Sequence, residues 1–151
     1  MPDAAIDARI CPAAPANCVA FACPSSSSCY YVCGGTMARL DWGQARGRCG
    51  TAGLGCLATI NDAAEQACLA TATAPGFPDI VWFGFKQASS GSEPAGGWGW
   101  ECGSSSFLAG NWGQFEPNDD GNGEDCGALI TGGSWIDGGC STAGRYVCEL
   151  P

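Results

Sequence analysis

Histidine is absent from the 151 residues, and lysine occurs once, at Lys86. Without an imidazole there is no Ser-His or Cys-His nucleophile pair, no histidine general base and no His-ligated zinc. No two cysteines are spaced as Cys-x-x-Cys, so the common zinc patterns are missing too. No apolar run approaches the roughly 20 residues of a membrane-spanning helix. Positive charge is scarce: fifteen Asp and Glu face six Lys and Arg, for a net charge of −9. That balance argues against nucleic acid or an anionic membrane surface as partner and makes a cation the more natural guest. The N-terminal MPDAAIDARI has neither a cationic n-region nor an apolar h-region, so the expectation is a mature or trimmed chain that has lost its export signal.

Cysteine, by contrast, is abundant. Twelve in 151 residues is the density of a secreted, oxidised scaffold whose thiols are paired. The length suits one domain with a real core. Residues 1 to about 22 are rich in Ala, Pro, Asp and Asn and read as a tether or loose segment without a core. CYYV, from Cys29 to Val32, has the aromatic and β-branched character of a strand. Two short helices are announced by their caps: Asp41 with Gln44 three residues on, opening WGQARGRC, and Asp62 with Glu65, opening AAEQACLATA. CLATI (56–60) reads as a short strand or connector, and VWFGF (81–85) as a buried strand. Residues 86–125, rich in Gly, Ser and Asn, show almost no periodicity and read as a long structured loop, because Trp98, Trp100 and Trp112 argue against disorder. CGALI (126–130) and RYVCEL (145–150) close the chain as strands.

The densest chemistry is EPNDDGNGEDC, residues 116–126, which gathers Glu116, Asp119, Asp120, Glu124 and Asp125 with the amides Asn118 and Asn122. Taken alone, such a loop is most often a solvated turn. An EF-hand is excluded, since the Gly due at position six and the Glu due at position twelve fall correctly in no frame starting at Asp119 or Asp120. Calcium remains the fitting guest for such a set, because it takes six to eight carboxylate and carbonyl oxygens.

In order, the chain shows WGQARGRC, GLGCLATI, WFGF, WGW, NW, EPN, EDC, WIDGGC and YVCE. This series resembles the C-type lectin-like domain from about Cys18 to the C-terminus, leaving 1–17 as a tether. The resemblance implies an α+β fold in its long form, with two short helices flanking small antiparallel sheets and a long calcium-binding loop region. It implies the disulfides Cys49–Cys148 and Cys126–Cys140, and for the long form an N-terminal pair, Cys18–Cys29. Cys11, Cys23, Cys33, Cys56, Cys68 and Cys102 stay open, with Cys23–Cys33 a guess.

The resemblance also implies a Ca2+ site. Glu116 and Asn118 flank a proline that is cis in the sugar-binding members, Glu124 falls at the third ligand position, and Asp137 matches the Asp of the family's Trp-Asn-Asp motif. The same four residues would bind carbohydrate, with vicinal hydroxyls completing the calcium shell. The order Glu-Pro-Asn goes with mannose-type sugars: mannose, glucose, N-acetylglucosamine and fucose. Asp119 and Asp125 match ligands of a second calcium, but Gln87 and Gly91 stand where the preceding loop would supply acids. One departure is sharper: Ile136 replaces the Asn before the last Asp and offers neither a ligand oxygen nor an amide donor.

Three function classes follow. The first is a secreted or cell-surface calcium-dependent lectin for glycans with equatorial vicinal hydroxyls, and it is preferred. The second is a protein-binding or adhesion module with structural calcium and no sugar binding, for which Ile136 speaks. An enzyme ranks last, because no nucleophile with a base partner is visible. Trp82, Trp112 and Trp135 read as packing rather than sugar platforms, and the period-two pair Trp98 and Trp100 presents both rings to one face.

Overall fold

The computed structural model describes residues 10–35, 38–76, 79–89, 91–107 and 111–151. Its frame is an antiparallel-rich sheet with two helices. Strand β1 (Cys18–Ala22) pairs antiparallel with β2 (Cys29–Cys33), and β2 with the last strand, β8 (Arg145–Leu150). The other side of β8 takes the two-residue β3 (Cys56–Leu57) and, in parallel, the start of β4 (Val81–Gln87). Beyond β4 lie β5 (Trp98–Trp100), β6 (Cys126–Leu129) and β7 (Trp135–Gly138), giving the order β1-β2-β8-β4-β6-β7 with β3 and β5 branching off. The register between β4 and β6 shifts between Trp82 and Lys86, and at Lys86 β4 carries β6 on one edge, through Cys126, and β5 on the other, through Gly99.

Both helix caps form. Helix α1 (Trp42–Thr51) has the full reciprocal box: Gln44 N donates to Asp41 Oδ1 at 2.7 Å, and Asp41 N donates to Gln44 Oε1. Helix α2 (Ala63–Thr73) has only half of it. Glu65 N donates to Asp62 Oδ1, but the Glu65 carboxylate accepts from Asn61 N and from the buried Tyr30 hydroxyl instead of returning to Asp62. A side chain readable as a cap thus becomes a core acceptor.

The core divides in two across the sheet. One side gathers Tyr31, Trp42, Cys49, Leu57, Trp82 and Cys148, the other Tyr30, Ile60, Leu69, Phe83, Phe85 and Trp135. Gly84 sits where β4 crosses β3, and a Cβ there would stand 2.6 Å from the Leu57 carbonyl oxygen. Only glycine permits that approach, and Gly84 N uses it to donate to Ala58 O.

Six disulfides staple the frame. Cys49 is bonded to Cys148 and Cys126 to Cys140, the two pairs the resemblance implies. The expected Cys18–Cys29 pair is corrected: Cys18 is bonded to Cys33 and Cys29 to Cys11. The register decides this, because Cys18 stands directly opposite Cys33 on β1 and β2 while Cys29 opposes Ala22. The guess Cys23–Cys33 fails with it, since Cys23 is bonded to Cys68 of α2; Cys56 takes Cys102. The segment before residue 22 is also less loose than its composition implies. CVAFA pairs as β1, and Tyr31 Oη donates to Pro12 O just beyond the Cys11 staple. Residues 1–9 lie outside the described residues.

Candidate functional site

The acidic loop closes onto the end of β7. Trp135 begins that strand in the core, its Nε1 donating to Gln66 Oε1 at 2.8 Å, while Gln66 Nε2 and Asn111 Nδ2 both donate to Gly133 O. Two residues on, by strand periodicity, Asp137 lies on the same face and is only 2% exposed. Its carboxylate receives the loop backbone: Asn118 N donates to both oxygens at 3.0 Å, and Asp119 N to Oδ2 at 2.7 Å. Asp137 is therefore the fixed floor against which residues 116–119 are registered.

Around that floor the remaining polar groups interlock. The Glu116-Pro117 peptide is cis, and Asn118 Nδ2 donates to Glu116 Oε1 at 3.0 Å. Asp120 N donates to Asn118 Oδ1 at 2.8 Å and to Glu124 Oε2 at 3.0 Å. Glu116, Asn118, Glu124 and Asp137 are thereby linked in one hydrogen-bonded group. Glu116 Oε2 is buried with no donor facing it. Burial first, then a contact with the Asp137 carboxyl and the charges of Asp137, Glu124 and Asp120, pushes the Glu116 carboxyl up to about 8. Burial raises Glu124 as well, with the Asp120 N–H opposing it and the charges of Asp137, Asp120 and Asp119 adding to it. This is the electrostatic signature of acids crowded without a counter-charge.

The oxygen-only donor set fits a hard cation such as calcium. Among the described residues, however, no three acidic or sulfur side chains are gathered as a metal cage. The reason is visible in the bonds above: here the carboxylates and the Asn118 amide oxygen are turned to loop N–H groups.

The residues expected at a second calcium behave differently. Asp119 Oδ1 accepts from Gly123 N and Glu124 N, tying the turn at 119–124, and the carbonyl of Asp125 accepts from Gln87 N. Gln87, only 3% exposed, turns its amide to Gly96 O at 2.8 Å and helps hold the 93–97 turn, together with the bonds from Ala88 N to Gly97 O and from Trp98 Nε1 to Pro94 O. Ile136 points away from Asp137 and packs on the core side with Trp82, Cys126 and Ala128. Trp82 and Trp135 are fully buried; Trp98 and Trp100 both lie on Phe85, at 5.3 and 4.6 Å between ring centres, and Trp112 meets Trp98 edge-on. Lys86 lies over the Trp42 ring, and Glu101 pairs with Arg46.

Sequence reasoning missed Phe115, which is 84% exposed with φ 66° immediately before Glu116. An aromatic abutting the Glu-Pro-Asn motif was the available signal, but its exposure depends on the turn.

This chain is a member of the lectin C-type domain family, whose family model matches residues 38–150. Human C-type lectin domain family 17, member A, is 32% identical over 126 residues, covering 83% of this chain; the chain spans only 30% of that relative's length. Among solved structures, the mouse scavenger receptor C-type lectin carbohydrate-recognition domain superposes with a TM-score of 0.71 at 25% identity, covering 91% of this chain and 98% of that one. The cow CD23 carbohydrate-recognition domain, determined in the presence of a GlcNAc2Man3 oligosaccharide, does so with a TM-score of 0.69 at 26% identity, covering 93% and 97%. Lectin membership and six disulfides fit an extracellular or cell-surface setting. No helix among the described residues is long and apolar enough to cross a membrane.

Proposed function

We propose that the loop around Glu116, Asn118, Glu124 and Asp137 binds Ca2+ and, with it, glycans carrying equatorial vicinal hydroxyls of the mannose type. The observation that carries this reading is the buried, donorless Glu116 Oε2 within a hydrogen-bonded group whose floor is Asp137. A buried carboxylate oxygen without a donor is costly and is relieved by a cation. When bound, the ion would supply charge compensation and open coordination positions for sugar hydroxyls. Glu116 and Glu124 would accept from those hydroxyls, the Asn118 amide would donate to one, and Asp137 would hold the loop backbone in register beneath them. The Glu-Pro-Asn order supports mannose over galactose. Asp119, occupied by the 119–124 turn, and Gln87, occupied by Gly96, favour one ion over two.

A second reading has its own observation. Ile136 is committed to the core, so one family donor is absent, and a module that keeps the loop while binding protein would look the same. Retention on immobilised mannose in calcium, with a galactose column as control and EDTA elution, separates the two. Release by EDTA from mannose alone supports the lectin. No retention on either sugar, with calcium still raising the melting temperature, favours the protein-binding module.

A further inference from the structure

The described large apolar side chains left in solvent are Ile10, Val19 and Phe115, and Phe115 is the one aromatic among them. Every other described phenylalanine meets another ring: Phe21 stacks on Tyr30, and Phe83, Phe85 and Phe107 pack around Trp135. Phe115 is held out by a pinned turn. Gly113 N donates to Trp135 O before it, Glu116 N closes back to Gly113 O, and Asn118 N is fixed on Asp137 after it. At φ 66° a phenylalanine sits in the left-handed region, which costs a bulky residue on the order of 1 kcal/mol. No packing in the protein offsets that cost. Consecutive Cα atoms are about 3.8 Å apart, so the ring is rooted on the backbone one residue before Glu116.

Resting on the sugar-binding reading of this loop, we infer that Phe115 is a specificity contact: its ring receives the apolar face of whatever is linked to the bound sugar, either an aromatic aglycone or the C–H face of an adjoining pyranose. A sugar held by Glu116 and Asn118 presents polar hydroxyls to the site, and its neighbour then lies over the one exposed aromatic beside those residues. Acids cannot supply such a contact, and Trp98, Trp112 and Trp135 are turned onto each other or onto Phe85.

The test compares methyl α-mannoside with 4-nitrophenyl α-mannoside by calorimetry in calcium, on the wild type, Phe115→Ala, Phe115→Trp and Phe115→Asn. Wild type binds the aryl glycoside about fivefold tighter than the methyl one, the ratio expected of one aromatic contact. Phe115→Ala brings the ratio near one while calcium affinity and methyl-mannoside affinity stay within about twofold, and Phe115→Trp keeps the ratio. Phe115→Asn loses the ratio yet melts no lower, since asparagine tolerates the left-handed conformation; a merely structural role would not separate these readouts. An equal ratio in wild type and Phe115→Ala, with both binding, overturns this inference alone. Absence of any mannoside binding by the wild type overturns the sugar-binding reading and this inference with it.

Discussion

Two groups of carboxylates, one in the core and one in the acidic loop, are satisfied differently. In the core region, Glu65 accepts from Tyr30 Oη, Asn61 N and Asn61 Nδ2, while Glu149 accepts from Ser28 Oγ at 2.7 Å and Thr59 N at 2.9 Å. Both oxygens of each carboxylate have a donor. In the loop region, Asp137 is equally well satisfied, but Glu116 has one oxygen held by Asn118 and the other buried without an N–H donor, beside the Asp137 carboxyl. A carboxylate with a donor on each oxygen is a structural acceptor, whereas one left short in a crowd of acids is the kind a cation would relieve. Composition alone counts these acids alike, and the donors tell them apart.

The largest effect separating the regions belongs to Glu65. Glu65→Ala strands the Tyr30 hydroxyl and the Asn61 donors in the core and should cost roughly 3 kcal/mol in denaturant unfolding, with calcium affinity of the remaining folded protein unchanged. A small loss would place Glu65 with the loop acids rather than among the core acceptors.

Asp137 comes next because it belongs to both kinds. Asp137→Ala removes the acceptor for Asn118 N and Asp119 N and should cost about 1–3 kcal/mol. Amide exchange should quicken at 118 and 119 before the rest of the sheet, and retention on mannose should be lost. Unaltered exchange at those two amides would show that the loop is registered by something other than Asp137.

How much of this was legible follows the same division. The helix starts were readable because a cap is a local device: Asp41, Gln44 and Asp62 do what their spacing says. The pairs Cys49–Cys148 and Cys126–Cys140 came through the resemblance, and the four loop residues are brought together by their mutual hydrogen bonds. Cys18–Cys33 was not readable, because it is fixed by the β1–β2 register, a non-local quantity. The role of Ile136 was half readable: the lost amide is in the letters, but strand alternation into the Trp82 side of the core depends on where β7 begins. Gln87 was readable only as a missing acid, not as the amide that holds Gly96.

A smaller effect carries an opposite sign in the two regions. Glu116→Gln replaces the donorless carboxylate by an amide able to donate towards Asp137, so the calcium-free protein should melt at the same temperature or slightly higher, by no more than about 0.5 kcal/mol. The gain in melting temperature on adding calcium should disappear in the same variant. Glu65→Gln must instead lower stability, because both of its oxygens accept hydrogen bonds and an amide nitrogen would turn a donor towards one of those N–H or O–H groups. Equal losses in both variants would erase the distinction between structural acceptor and cation ligand.

The subtlest effect is in pH. The Glu116 carboxyl is raised to about 8 in the fold, by burial first and by neighbouring acids after it. A raised acid favours the folded state in its protonated form, so its contribution is complete below the ordinary glutamate range and is lost as pH climbs through about 8. Glu149, also raised by burial though opposed by its bonds to Ser28 and Thr59, adds to the same slope. Calcium-free protein should therefore melt higher at pH 5 than at pH 8.5, and Glu116→Gln should flatten part of that difference while leaving the Glu149 part. On the proposed calcium reading the order should reverse, because the ion would require deprotonated carboxylates and would displace the proton that Glu116 holds near neutrality. Proton release on calcium addition, read in weakly buffered solution at pH 7 and absent in Glu116→Gln, ties the two observations to one side chain; release that persists in the variant would assign the titration to another acid of the loop.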